Sequence, residues 1–322
     1  MIVVWRITQR CNLRCPFCAY DRTIHRVRRD ADKALVLQFG ELLSAFQHET
    51  GQSVLVSWIG GEPFLWPALQ EITRRFVVDF GLKVSTTTNG TSLGSEAMRR
   101  HVGDFYSEIT LSVDRLGEGH DELRGWKGGY AALQRHIPQI AHEKLRTGRG
   151  PLLRVNTVIM HDNVGEFAAL CGELANWGVD EISFNQLGGR DRPEFFPIHR
   201  LTPTDVAQLG DLIPDLRQRL AARGVRLLGG ADYLHRFKAS AANVALPIPN
   251  CHPGERFLFV DELGRVAPCN YAVNELGVPL GEIAAAADLI LLKERFAAAI
   301  HQTQPTACGD CHATQVWTKF TS

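Results

Sequence analysis

Ile2-Val-Val-Trp-Arg-Ile-Thr8-Gln-Arg-Cys11-Asn-Leu-Arg-Cys15-Pro-Phe-Cys18 sets a short β-rich run just ahead of three closely spaced cysteines. The run Ile2–Thr8 is almost wholly apolar, as a strand covered on both faces is. The cysteines follow in the pattern CxxxCxxC. Three thiolates cannot close a four-iron cluster; they hold three irons and leave the fourth open to a ligand from outside the protein. The alternatives for such a triplet are three buried thiols or a zinc site, for which only His25 stands near enough in sequence to be a fourth ligand.

Working outward, five more runs rich in branched residues read as strands: Ser53–Ile59, Lys83–Thr88, Glu108–Val113, Leu152–Ile159 and Glu181–Asn185. Helical spacing fills the gaps, with Leu35, Phe39, Leu42, Leu43 and Phe46 in the first, then Leu69, Ile72, Phe76 and Val77, and later Phe167, Leu170, Leu174 and Trp177. Six βα units in a row imply a parallel sheet with right-handed crossovers. Six is two short of an eight-stranded barrel, so the expected α/β fold is a partial, TIM-like (β/α)6 barrel with its chemistry at the C-terminal strand ends. Cys11, Gly60, Asn89, Asp114 and Gln186 all fall at or just after such an end.

The pattern changes after a helix over Val206–Arg223 that Pro214 interrupts or starts. Val225–Leu228 is a candidate short strand, and Ala239–Pro249 reads as a small-residue linker. A hairpin, Phe257–Val260 with Arg265–Pro268, surrounds the turn Asp-Glu-Leu-Gly, and a helix at Asp288–Ile300 precedes the last cysteines. The expected domains are a barrel over 1–230, a linker over 231–250 and a small C-terminal domain over 251–322.

The 322 residues carry 35 basic and 35 acidic side chains, a formal net charge of zero. Nothing in that balance points to a nucleic acid or a membrane surface as partner, although Arg22, His25, Arg26, Arg28 and Arg29 form a local basic cluster. No signal peptide and no apolar run of membrane-spanning length is present, so a cytoplasmic location is expected. In that reducing compartment eight cysteines point to metal or catalysis rather than disulfides. Seven fall into two sets, Cys11/Cys15/Cys18 and Cys251/Cys269/Cys308/Cys311, while Cys171 lies in an apolar helical stripe and reads as a buried structural thiol.

Gly60-Gly61-Glu62-Pro63 follows the second strand, where two glycines let the backbone approach a ligand closely. Behind CxxxCxxC with Phe17 before its last cysteine, this tetrapeptide resembles the GGEP motif of radical S-adenosylmethionine (SAM) enzymes. The resemblance implies a [4Fe–4S] cluster on Cys11, Cys15 and Cys18, SAM chelated to its open iron, and reductive cleavage of SAM to a 5′-deoxyadenosyl radical that abstracts a substrate hydrogen atom. It implies SAM contacts at Gly60, Gly61, Glu62, Pro63, Thr88, Asn89, Ser112, Asp114, Arg154, Asn156 and Gln186, and a low-potential electron donor of flavodoxin or ferredoxin type. Local alternatives stand beside these roles: Asn89-Gly90 suits an αL turn, Asp114 a helix cap, and Arg154 a solvent-facing position.

Four thiolates at Cys251, Cys269, Cys308 and Cys311 are a closed set, and spacing alone does not decide between zinc and iron. Cys-x12-Gly-x4-Cys followed by Leu280-Gly281-Glu282-Ile283 resembles the SPASM/twitch extension, in its truncated twitch form, and this implies one auxiliary iron–sulfur cluster, of the 4Fe–4S kind. A fully ligated cluster suits electron acceptance, hence a two-electron oxidation of a small molecule. No segment precedes the first strand, where many peptide-modifying relatives carry a leader-binding domain, and this favours the small molecule over the alternative, a maturase of a ribosomally made peptide. A non-enzymatic metal-binding or redox scaffold is the third reading. Tyr20, Asp21, His25, Asp114, His161 and Asp191 are candidate bases, and Leu187–His199 is the expected substrate-specific loop, with Trp126 a lid or packing residue.

Overall fold

Ile2–Thr8 forms strand β1, with Val3, Trp5 and Ile7 buried in alternation. The structure is a computed structural model and describes residues 1–248, 250–317 and 319–320. After β1 come α1 (Lys33–Thr50), β2 (Leu55–Gly60), α2 (Leu69–Val78), β3 (Lys83–Thr88), α3 (Glu96–Phe105), β4 (Glu108–Ser112), α4 (Gly117–Arg124), α5 (Gly129–Thr147), β5 (Leu152–Ile159), α6 (Phe167–Asn176) and β6 (Glu181–Gln186). The chain continues through α7 (Phe196–His199), α8 (Pro203–Ala221), β7 (Arg226–Leu227), α9 (Ala231–Ala241), β8 (Phe257–Val260), β9 (Arg265–Ala267), α10 (Val273–Leu276), β10 (Val278–Pro279), α11 (Ala286–Thr303) and α12 (Thr306–Gly309). No helix among the described residues is long and apolar enough to cross a membrane.

Contacts divide the chain into two compact units, the first made of residues 1–10, 26–86 and 245–316. In it β1 pairs in parallel with both β2 and β8, and β2 with β3, while β8, β9 and β10 run antiparallel. Residues 257–260 thus extend the sheet that the N-terminal strand begins. Trp5 meets Phe39 of α1 edge-on at 5.5 Å, and Trp58 meets Phe76 of α2 at 5.1 Å, so large aromatics join sheet to helices. Asp32 caps α1 by accepting from the Leu35 N–H, and Gly51 ends it in the left-handed conformation.

The second unit comprises residues 11–25, 87–244 and 317–322. Strands β4, β5, β6 and β7 pair in parallel in that order. On β5 the row Leu153, Val155, Thr157 and Ile159 is buried, which turns Arg154, Asn156 and Val158 to the other face. Phe184 of β6 packs between Phe167 of α6 and Phe237 of α9 at 5.6 and 5.5 Å.

Two expectations need correction. Helix α8 runs unbroken from Pro203 through Pro214, because Val206, Leu209, Ile213, Leu216 and Leu220 form one buried stripe whose packing outweighs a lost backbone hydrogen bond. The stretch 231–250 is not all linker, since Tyr233, Arg236 and Phe237 bury one face of α9 and hold residues 231–241 helical. Pro249 of that linker lies outside the described residues. Cys171 is fully buried, as its apolar stripe implies.

Gly60 ends β2 at φ +145°, and a Cβ there would stand 2.1 Å from the Thr8 carbonyl oxygen. Gly264, in the β8–β9 turn, also has positive φ (+74°), but a Cβ there meets nothing closer than 3.4 Å. Urea unfolding is expected to show Gly60→Ala losing about 3 kcal/mol and Gly264→Ala about 1 kcal/mol.

Candidate active site

The cysteine loop is folded by its own backbone: the Cys18 N–H donates to the Cys15 carbonyl at 3.1 Å and the Arg22 N–H to the Leu13 carbonyl at 3.0 Å. These turns aim N–H groups at sulfur. The Leu13 amide reaches Cys11 Sγ at 3.5 Å, the Tyr20 amide reaches Cys18 Sγ at 3.4 Å, and Arg124 Nη1 reaches Cys15 Sγ at 3.9 Å. Burial pushes the Cys18 thiol up to about 12, with the Tyr20 amide opposing and the neighbouring Cys15 and Cys11 adding to the rise. Burial likewise raises Cys15, against the pull of Arg124. Three clustered thiols that receive a donor at each sulfur, with Cys15 and Cys18 resisting ionisation, suit a cationic iron–sulfur group that takes them as thiolates.

Arg124 ties this loop to the sheet. Its Nε donates to Asp114 Oδ2 at 2.6 Å, and its guanidinium carbon stands 5.3 Å from the Phe17 ring centre. Asp114 is 1% exposed; its other carboxylate oxygen accepts from the Val158 N–H at 2.9 Å, and its carbonyl accepts from Asn163 Nδ2 at 2.9 Å. The Asp114 N–H donates to His120 Nδ1 at 3.2 Å. Burial, then the charge of Arg124, pushes His120 down to about 4, so the ring stays neutral and accepts this hydrogen bond. Asp114 therefore neither caps α4, whose N-cap is Leu116, nor leaves its carboxylate free.

Asn89 does reach the cysteine loop. Its Nδ2 donates to Asn12 Oδ1 at 3.0 Å and faces Cys11 Sγ at 3.9 Å, while Oδ1 accepts from the Thr91 N–H and hydroxyl. Gly90 takes the αL conformation, and the Thr88 hydroxyl accepts its N–H, so turn geometry and loop contact coexist. Ser112 ends β4 opposite Asn156 on β5. Arg154 is held by Glu108 and Glu181 at 3.1 and 2.6 Å, Asn156 accepts from the Ser183 hydroxyl at 3.0 Å, and Gln186 donates to Ser240 at 2.8 Å. In the first unit the Gly61 and Glu62 amides donate to the Thr8 and Arg10 carbonyls, and the buried Glu62 carboxylate accepts from the Phe64 N–H, with Pro63 also buried.

The loop 187–199 packs on the cysteine loop: Arg192 donates to Asp21 at 3.1 Å, and the Phe195 and Phe17 rings lie 6.4 Å apart. Among the candidate bases, Asp21 is buried in that ion pair, His161 pairs with Asp205 at 2.9 Å, and His25 and Asp191 are exposed. Trp126 packs locally, its ring where a Cβ on Gly129 would fall. Sequence reasoning missed Arg124, His120 and Asn163. The spacing of His120 and Arg124, four residues apart just after Asp114, is the signal that could have found the first two.

In the first unit Cys251, Cys269, Cys308 and Cys311 line one pocket of about 50 Å³ together with Phe257, Tyr271 and other largely apolar neighbours. Burial pushes Cys251 up to about 11, and Cys269, Cys311 and Cys308 each add to the rise, so the four thiols converge. The Cys311 N–H donates to the Leu246 carbonyl at 3.0 Å, and the Leu246 N–H to Asp310 Oδ1 at 3.0 Å, which anchors the CxxC turn. Among the described residues no three His, Cys, Asp or Glu side chains form a group fit for a single metal ion.

Two outcomes test this geometry. The unfolded chain protonates His120 near pH 6.5 while the folded one resists down to about 4, so the folded state binds fewer protons in between and loses stability as pH falls. Between pH 7.5 and 5 the loss is about 2 kcal/mol, and His120→Gln removes that share of the pH dependence of the urea midpoint. Arg124→Met strands the Asp114 carboxylate in the interior and costs about 3–5 kcal/mol in the same measurement.

A family model, "Radical SAM superfamily", matches residues 5–170. Fe-coproporphyrin III synthase of Methanosarcina barkeri is 26% identical over 227 residues, covering 69% of this chain and 53% of that protein. Mycofactocin maturase MftC of Mycobacterium ulcerans is 22% identical over 275 residues, covering 85% and 69%. The crystal structure of Streptococcus suis SuiB bound to precursor peptide SuiA shares the fold with a TM-score of 0.68 at 16% identity, over 95% of this chain and 66% of that one. The chain thus spans between about half and 70% of the lengths of these proteins. Its parallel strands and intervening helices accord with the partial barrel of SAM- and [4Fe–4S]-dependent enzymes. Because the family match extends over more than half of the sequence and takes in the three-cysteine loop with the strand ends that follow it, the chain belongs to the radical SAM superfamily.

Proposed function

We propose that this chain is a radical SAM oxidoreductase that performs a two-electron oxidation of an organic substrate. The observation that carries the reading is the contrast between three thiols gathered in one loop and four thiols lining one pocket. Cys11, Cys15 and Cys18 hold a [4Fe–4S] cluster with one iron free for SAM, and Cys251, Cys269, Cys308 and Cys311 hold an auxiliary iron–sulfur cluster. When bound, the first cluster and SAM supply a carbon radical that removes a hydrogen atom from the substrate.

The chain's own residues set the geometry for this. Gly60, with no Cβ, lets the backbone of Gly61, Glu62 and Pro63 meet the SAM ammonium, and the buried Glu62 stiffens that turn. Thr88, Asn89 and Ser112 line the SAM methionine and ribose, with Asn156 and Gln186 farther along the strand ends. Asp114 and Arg154 act as positioning groups, because their charges are already engaged by Arg124 and by Glu108 and Glu181. Electrons come from a flavodoxin- or ferredoxin-type donor. A reducing, cytoplasmic location suits seven cysteines that ligate iron rather than pair as disulfides.

The substrate in the first reading is a small molecule. A second reading, a ribosomally made peptide, draws support from likeness to a protein named a maturase and to one solved with a precursor peptide. Turnover of a peptide in preference to sugar or aminocyclitol alcohols would select it.

Anaerobic reconstitution is expected to load ~8 irons per chain, and dithionite with SAM to yield 5′-deoxyadenosine. Cys15→Ala abolishes that product, whereas a folded Cys308→Ala keeps SAM cleavage and retains ~4 irons. Full loading of the wild type with no 5′-deoxyadenosine would refute the radical reading.

A further inference from the structure

The polar face of the second unit's sheet is ordered in rows. Parallel register sets Ser112, Asn156 and Ser183 side by side on β4, β5 and β6, and Thr110, Arg154 and Glu181 in the row below. The lower row is electrostatically closed, since Arg154 pairs with Glu108 and Glu181, and Glu181 also takes Arg226. Onto the upper row comes Lys319, whose Nζ donates to Asn156 Oδ1 at 3.1 Å beside the Ser183 hydroxyl. Lys319 is 7% exposed, and among the described residues no carboxylate pairs with it. Burial, with the charge of Arg154 added, pushes its amine down to about 7.

A lysine at this place is an expensive way to fill space. A methionine would occupy similar volume with no amine to desolvate, so packing alone gives no reason for the nitrogen. Its position does. Two residues farther along β5, about 7 Å by strand rise, the Val158 N–H holds Asp114, which holds Arg124 against Cys15. The amine therefore stands against Asn156, two residues before the strand position whose amide holds Asp114.

Resting on the radical reading, we propose that Lys319 is the proton acceptor for a substrate carrying a secondary alcohol or amine, oxidised over this face. The carbon-bound hydrogen leaves as an atom to the SAM-derived radical, and the hydrogen on the adjacent oxygen or nitrogen leaves as a proton to the Lys319 Nζ lone pair. The one remaining electron would be accepted by the oxidised auxiliary iron–sulfur cluster that Cys251, Cys269, Cys308 and Cys311 would hold, and a C=O or C=N bond would form where the single bond stood. Asn156 orients the amine by accepting one of its hydrogens, and Ser183 orients Asn156. Burial, with the charge of Arg154 added, disfavours protonation of the amine at rest.

The test has two arms on the holoprotein. Competitive labelling with acetic anhydride from pH 5 to 10, read by mass spectrometry against added Nα-acetyl-lysine methylamide, is expected to show Lys319 inflecting near 7 and the standard near 10.4. Absence of an inflection below pH 9 overturns the proposal. In the second arm K319M and K319A, checked for an unchanged urea midpoint, keep 5′-deoxyadenosine formation but lose carbonyl formation at least ~100-fold across a panel of sugar and aminocyclitol secondary alcohols and a seryl peptide. Small primary amines restore K319A in order of their basicity, which a merely structural lysine would not produce. K319M oxidising the panel at the wild-type rate overturns the proposal. Failure of the wild type to cleave SAM sinks the radical reading instead, and leaves the labelling result to decide the state of Lys319.

Discussion

The buried ion pair between Asp114 and Arg124 is the joint on which the second unit's chemistry depends. Asp114 is reached from β5 through the Val158 amide, from Asn163, from His120 and from Arg124, so one carboxylate and its own peptide gather three segments. Arg124 then carries that rigidity outward to Cys15 and the Phe17 ring. Two charges removed from water contribute little net stability in general, but either one alone in that interior is costly. The pair thus specifies where the cysteine loop sits more than it strengthens the fold.

Backbone geometry performs the corresponding task in the first unit. Gly60, Gly61 and Glu62 hydrogen-bond or closely approach Thr8 and Arg10, so the end of β2 is stitched to the end of β1 with no side chain between. Glu262, in the β8–β9 turn, adds a tie by accepting from Arg6 and Gln9 beyond the same strand. The four-thiol pocket is built on that hairpin and on the α12 turn. Positive φ at Gly264 and the Asp261 carboxylate, which accepts from the Leu263 and Arg265 amides, set the course of the hairpin.

Much of this was legible in the residues. Ile2–Thr8, Lys83–Thr88 and Leu152–Ile159 form strands over the expected limits, because apolar alternation and β-branching act locally. The hairpin and the long helix before the last cysteines were legible for the same reason, as was the burial of Cys171. Pro214 misled because a local rule met a longer buried stripe, and α9 was hidden because its buried face mixes Tyr233 and Phe237 with Arg236 and two alanines. Neither Arg124 nor Lys319 announces itself, since a cation in a linear sequence reads as solvated until its neighbours in space are known.

The chain's order of residues determined the alternation of strands and helices, the two cysteine sets and the glycine turn after β2, since each depends on period, spacing or a missing Cβ within a few residues. Tertiary structure alone decided which polar groups remain available. Asp114 and Arg154 are engaged by partners 10 to 46 positions away in the chain, and Lys319 meets Asn156 across 163. Desolvation and pairing are properties of a surrounding volume, and a linear pattern carries no measure of volume.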